Sequence, residues 1–157
     1  MKAAFLLVLS VLASCTNVTP LLITPTSTIS MRDCTKNRVE FLIGTFFQAY
    51  NSRDKSGVIA LFKIDDAQFQ YYDNIAGRVA DIRDRLTFER YLENRFNQLD
   101  EFHVTQINMP EQPAPFKANP TVSYTRRSME GMFQGNIKFV CVSGYIIGFV
   151  TTAERLP

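Results

Sequence analysis

The stretch Leu61–Asp73, LFKIDDAQFQYYD, changes its period part-way along. Leu61 and Phe62 complete a helically spaced apolar stripe begun by Val58 and Ile59, for which Asp54 can serve as N-cap. From Ala67 onward the residues alternate. That alternation places Phe69, Tyr71 and Asp73 on one face of a strand and Gln68, Gln70 and Tyr72 on the other. A short helix therefore gives way to a half-buried strand.

Upstream, Val39, Leu42, Ile43, Phe46, Phe47 and Tyr50 recur at intervals of three and four, which predicts an amphipathic helix over residues 35–53 with one strongly apolar face. Downstream, Asn74 and Gly77 mark a turn, and the mixed charges from Arg78 to Arg85 read as a solvated edge. Thr87 can cap a third helix bearing Phe88, Tyr91, Leu92, Phe96 and Leu99. Strands are predicted over 102–109, 121–129, 132–142 and 145–152, separated by the Pro-rich loop MPEQPAPFKANP and by Gly131 and Gly144. Two helices, a strand, a helix and then a run of strands make an α+β order.

The chain has 157 residues, 46% hydrophobic and 20% charged, which suits one globular domain. Its formal charge of +2, with both signs interleaved, lacks the one-sided field that nucleic acid requires. No glycine-rich phosphate loop, GxSxG elbow or HExxH pair is present. With a single histidine and the cysteines accounted for below, no zinc ligand set remains, and no metal or other cofactor is expected.

This element order, with the LFKIDDAQFQYYD passage, resembles the nuclear transport factor 2-like superfamily over about residues 35–153. The resemblance implies a curved antiparallel sheet wrapped around the long first helix and enclosing a cone-shaped cavity. Thirteen Phe and six Tyr would suit such an interior, with Phe47, Phe69 and Tyr71 as lining residues. The alternative is a cystatin-like α+β arrangement, with one helix across an antiparallel sheet. The superfamily includes ketosteroid isomerase, scytalone dehydratase and polyketide cyclases. Resemblance to the isomerase would put its carboxylate base near Tyr71, where a phenol cannot serve as a resting base at neutral pH. Asp73, on the same strand face, could stand in for it. Tyr50 resembles the phenol donor of an oxyanion hole, and His103 falls where dehydratases and cyclases keep an acid/base residue. Each also has a plainer reading: Tyr50 as core, Asp73 as a bonder of turn amides, His103 as a solvated side chain.

The N-terminus carries a different signal. Lys2, the apolar run from Ala3 to Ala13 and the small residue Ser14 form a secretory signal in miniature over residues 1–14, too short to span a bilayer. The segment LASC resembles the lipobox of bacterial lipoproteins, which implies thioether lipidation of Cys15 and cleavage just before it. Two or three acyl chains there would make a durable membrane anchor. Residues 15–33, rich in Thr, Ser and Pro, read as a tether, which Leu21, Leu22 and Ile23 could partly dock on the domain; residues 34–157 form the single domain. With Cys15 assigned to lipid, Cys34 and Cys141 remain. Outside the cytoplasm such a pair commonly forms a disulfide, the alternative being two buried thiols.

The expectation is therefore a lipid-anchored, extracytoplasmic lipoprotein of the cell envelope. Its domain would bind a small apolar ligand or an envelope partner protein without catalysis. The alternative is an acid/base enzyme of the isomerase, dehydratase or cyclase type, using Asp73 or His103 with Tyr50.

Overall fold

A computed structural model describes residues 33–111 and 116–157. The leader, Cys15 and the tether as far as residue 32 lie outside the described residues. Thr35 opens α1 (Lys36–Asn51), its side chain accepting from the Arg38 N–H. The predicted apolar stripe is the buried face of that helix, from Val39 to Tyr50. Asp54 caps the short α2 (Lys55–Ala60) through the Gly57 N–H at 2.9 Å.

The strand β1 spans Gln70–Ile75 and begins three residues later than the alternation from Ala67 predicts. The cause is local: Asp66 accepts from the Gln68 N–H with its side chain and from the Phe69 N–H with its carbonyl, so residues 66–69 form a turn. After β1 the chain reverses through Ala76 and Gly77, both at positive φ, and returns as β2 (Arg78–Ile82). That two-residue reversal with left-handed centres matches the twist of the flanking strands. The charged stretch thus proves to be an edge strand, solvated along most of its length.

Helix α3 (Arg85–Asn97) is capped by Asp84 and not by Thr87. Asp84 holds the extended backbone of a cap and accepts from the Thr87 N–H at 2.9 Å, and its negative charge complements the helix N-terminus. The strands β3 (Glu101–Asn108), β4 (Lys117–Ala118), β5 (Thr121–Ser128), β6 (Gly131–Val142) and β7 (Tyr145–Arg155) follow. The curved sheet has the order β2-β1-β7-β6-β5-β3, with β4 beside β6. Every pairing is antiparallel except that of β1 with β7, which is parallel and differs from the wholly antiparallel expectation. Parallel neighbours need a long crossover, and the whole of β2 through β6 supplies it.

Phe46 on α1 packs against Phe62, Phe102, Phe139 and Phe149, with ring centroids 5.4 to 6.4 Å apart. Tyr71 stacks on Phe149 at 4.2 Å with planes 4° apart. Cys34 and Cys141 form a disulfide, tying the residue ahead of the Thr35 cap of α1 to β6.

Candidate functional site

The interior that the sequence reading expects as an open cone is filled. Phe47 packs on Phe102 and Phe139, Phe69 on Phe62 and Phe88, and Tyr71 on Phe88, Tyr91 and Phe149. These three predicted lining residues are buried core, because rings from α3, β3, β6 and β7, with Phe62, meet across the space that the cone would leave open.

One polar group penetrates this core. Arg126 on β5 is wholly buried, with its guanidinium carbon 4.6 Å from the Phe102 ring centroid. Its Nη1 donates to Asp73 Oδ2 at 2.7 Å, and its Nε donates to Asp100 Oδ1 at 2.8 Å. Tyr50 donates its phenol proton to Asp100 Oδ2 at 2.8 Å, and Tyr91 donates to Asp73 Oδ2. Arg95 on α3 joins the group, donating from Nε to Asp100 Oδ2 at 2.8 Å and from Nη1 to Glu130 Oε2 at 3.2 Å. Arg78 closes the outer end through Glu130. Three acids and three arginines therefore form one chain of ion pairs running from the core to the surface.

The backbone explains these placements. On β5 the side chains alternate, so Val122 and Tyr124 carry Arg126 to the inner face. Asp73 lies mid-strand, opposite Ala80 and Thr151, and its side chain binds Arg126 and Tyr91 instead of turn amides. Asp100 follows Leu99, which has positive φ where the chain leaves α3.

Burial, the largest influence on Asp100, pushes its carboxyl up, but the bonds and charges of Arg126 and Arg95 outweigh it and hold it below the ordinary carboxylate range. Burial acts against the charge on Arg126 too, and the surrounding groups, Asp73 and Asp100 among them, overcome it. Burial drives the Tyr50 and Tyr71 phenols well above their ordinary value. Neither phenol can act as a base at neutral pH.

Tyr50 and Asp73 are thus brought into one network, both in contact with Arg126. His103 is not among them. It is exposed on β3, paired across from Thr125, because Phe102 takes the inward position next to it. It borders an open groove of about 590 Å³ with Asn51, Glu101, Thr125, Arg127 and Met132. A second groove of about 560 Å³ adjoins at Thr125 and is lined by Thr105, Ser123, Gln134, Asn136, Thr152 and Glu154. On the other side, a pocket of about 190 Å³ is bordered by Asp73, Tyr91, Arg95, Gln98 and Glu130. Asp73 Oδ1, Arg95 Nη2 and Gln98 Oε1 are buried without a partner among the described residues. Among the described residues, no three His, Cys, Asp or Glu side chains are grouped to hold a metal ion.

No family model and no curated protein matches this chain. Solved structures do. A nuclear transport factor 2-like protein of unknown function from Cytophaga hutchinsonii is 13% identical, with a TM-score of 0.52 over 73% of this chain and 88% of that one. A protein of unknown function with cystatin-like fold from Methylobium petroleophilum is 14% identical, with a TM-score of 0.59 over 76% and 77%. A candidate ketosteroid isomerase from Kribbella flavida is 13% identical, with a TM-score of 0.54 over 77% and 81%. The fold is nuclear transport factor 2-like.

Within this nuclear transport factor 2-like fold, the inner face of the sheet holds a salt-bridged arginine among packed rings. The phenol and carboxylate that resemblance to the isomerase singled out are internally bonded. Tyr50 gives its proton to Asp100, and Asp73 Oδ2 accepts from Arg126 and Tyr91. The arrangement fixes side chains in place more readily than it presents them to a substrate. The sequence reading passed over Arg126, Arg95 and Asp100. Arg126 shares the inward parity of Val122 and Tyr124, and Arg95 falls on the buried stripe of α3 with Phe88, Leu92 and Phe96, whereas Asp100 carries no such signal.

Proposed function

We propose that this chain is a lipid-anchored domain of the cell envelope, held outside the cytoplasm through Cys15, which binds a partner protein without transforming it. One observation carries the non-catalytic part: the guanidinium of Arg126 occupies the interior between Asp73 and Asp100 and engages Tyr50 and Asp73, while His103 lies apart on the surface of β3. The Cys34–Cys141 bridge supports an oxidising location. The two adjoining grooves on the outer face of the sheet support a protein partner, since hydroxyls and amides there offer adaptable hydrogen bonds over a broad, open surface.

The acid/base alternative draws on Asp73 Oδ1, which lacks a partner among the described residues and belongs to a side chain bordering the 190 Å³ pocket. Native mass spectrometry of the full chain from its own host separates these readings. A lipid-modified chain carrying a second polypeptide, released by substitutions at Thr125 and Asn136, is the expected result. A copurified small apolar molecule would favour the ligand-binding form. Turnover that disappears in Asp73→Asn would establish the enzyme.

A further inference from the structure

We propose that the end of the domain at which the chain enters is a membrane-facing surface, seated on the lipid bilayer through Phe41, Phe116 and Tyr145; this rests on the reading of Cys15 as a lipid anchor. Among the described residues, these three are the only aromatic rings among the exposed large hydrophobic side chains, at 57%, 62% and 43% exposure. All three belong to one neighbourhood. The Phe116 carbonyl lies 3.6 Å from Cys34 Sγ and accepts from the Ser143 N–H at 3.0 Å. The next residue, Gly144, accepts from Arg38 Nη2 at 3.0 Å, and Tyr145 follows it. The Arg38 guanidinium carbon lies 5.4 Å from the Phe41 ring centroid. The three exposed rings are thus linked by one run of contacts, Cys34 to Phe116, Phe116 to Ser143, Gly144 to Arg38 and Arg38 to Phe41, that starts at Cys34, the residue through which the tether joins the folded domain.

A soluble domain gains nothing by displaying its exposed rings together, and such clustering marks a contact surface. The occupant follows from the leash. The segment from Thr16 to Asp33 reaches at most about 60 Å when fully extended, so an anchored Cys15 holds this end, where the tether joins, within that distance of the bilayer. At the millimolar effective concentrations of short tethers, a patch too weak to recruit a free domain suffices to orient an anchored one. Aromatic rings suit the interfacial layer; Arg38 lies over Phe41, Lys117 follows Phe116 in sequence, and Lys36 shares α1 with Phe41 and pairs with Glu40. Docking at this end also leaves the outer-face grooves free for a partner, since β7 lines them with Thr152 and Glu154, at least seven residues beyond Tyr145, and α1 with Asn51, ten residues beyond Phe41.

The chain contains no Trp, so a single introduced indole reports without background. Phe41→Trp, Phe116→Trp, Tyr145→Trp and, as a control on β2, Val79→Trp are made in the full lipidated chain. Each is reconstituted in phosphatidylcholine and phosphatidylglycerol vesicles with brominated acyl chains. At least twofold quenching at positions 41, 116 and 145, with none at 79, is expected. If flotation shows the chain bound through Cys15 while all four positions remain unquenched, the docking surface is overturned and the anchor stands. An intact mass without lipid overturns both. Indoles already shielded before vesicles are added, in a chain of dimer mass, would make the patch a contact between copies and also overturn the proposal.

Discussion

Arg126 Nη1 and Asp73 Oδ2 stand 2.7 Å apart with both side chains wholly shielded from solvent. Neither charge would be tolerated there alone. Asp100 completes the balance on the other side of the guanidinium. Removing one member of such a group leaves an uncompensated buried charge, whereas replacing all members by neutral groups does not. Arg126→Met is expected to cost about 3–5 kcal/mol in urea unfolding, since it removes the cation paired with Asp73 and leaves Asp100 with Arg95 alone. Adding Asp73→Asn and Asp100→Asn to that variant should restore a substantial part of the loss. A single-variant cost below about 1 kcal/mol, the scale of an exposed pair, would refute this account of the interior.

Acid should act through Asp100. Its folded pKa lies below its unfolded value of about 3.9, because Arg126 and Arg95 outweigh the effect of burial. A depressed carboxylate pKa stabilises the folded state fully above the unfolded value, and that contribution is lost as pH falls through the folded one. Glu130 shifts in the same direction through its bonds to Arg78, but it is partly exposed and contributes less. Melting temperature is expected to be level between about pH 5 and 7 and to drop steeply below about pH 4. In Asp100→Asn, stability at neutral pH should be lower and the acid slope shallower. An unchanged slope would transfer the acid sensitivity to other carboxylates.

How much of this was legible beforehand depends on whether a side chain's position follows from periodicity. The stripe from Val39 to Tyr50 and the inward set Phe69, Tyr71 and Asp73 could be read because burial on one face imposes a period of 3.6 or 2. The same parity exposes His103 beside inward Phe102 and turns Arg126 inward beside Tyr124, although a charged residue on the inner face runs against ordinary expectation. Thr87 and Asp84 are both competent caps three residues apart, and only the backbone conformation at 84 selects between them. Asp100 belongs to no periodic element. Its place in the core comes from partners 5, 26 and 50 residues away in sequence, which local patterning cannot reveal.

The tyrosines provide an alkaline counterpart. Burial raises the pKa of Tyr50, Tyr71 and Tyr124, and burial together with Asp73 raises that of Tyr91. For a phenol raised above its unfolded value of about 10, the folded state is stabilised below that value and loses the contribution as pH rises. Tyrosinate absorbance should therefore show these four phenols still protonated above pH 10 until the chain unfolds. In 6 M guanidinium all six tyrosines should titrate together near about 10. Six-phenol titration near that pH with the far-ultraviolet spectrum intact would show that the interior is open to water.

The disulfide offers a test that does not depend on the charged network. Cys34 and Cys141 are 107 residues apart in sequence, so the bridge closes a loop comprising most of the domain. On the chain-entropy view, a closed loop of about 100 residues restricts the unfolded state by about 4.7 kcal/mol, and measured losses on removing native bridges run to about 2–5 kcal/mol. Both sulfur-bearing residues are buried, so reduction should be slow in the folded protein and fast once it is unfolded. Cys34→Ser with Cys141→Ala is expected to lower stability by about 2–5 kcal/mol, read as a fall in the urea midpoint with little loss of helix or strand. The bridge also pins the tether's point of entry to β6 beside Phe116 and Tyr145. The same double variant should therefore loosen that end first, with amide exchange rising at residues 34–38 and 141–145 before it rises in β1 or α3. Uniform acceleration across the whole sheet would show that the bridge stabilises the domain globally without holding the entry point in place.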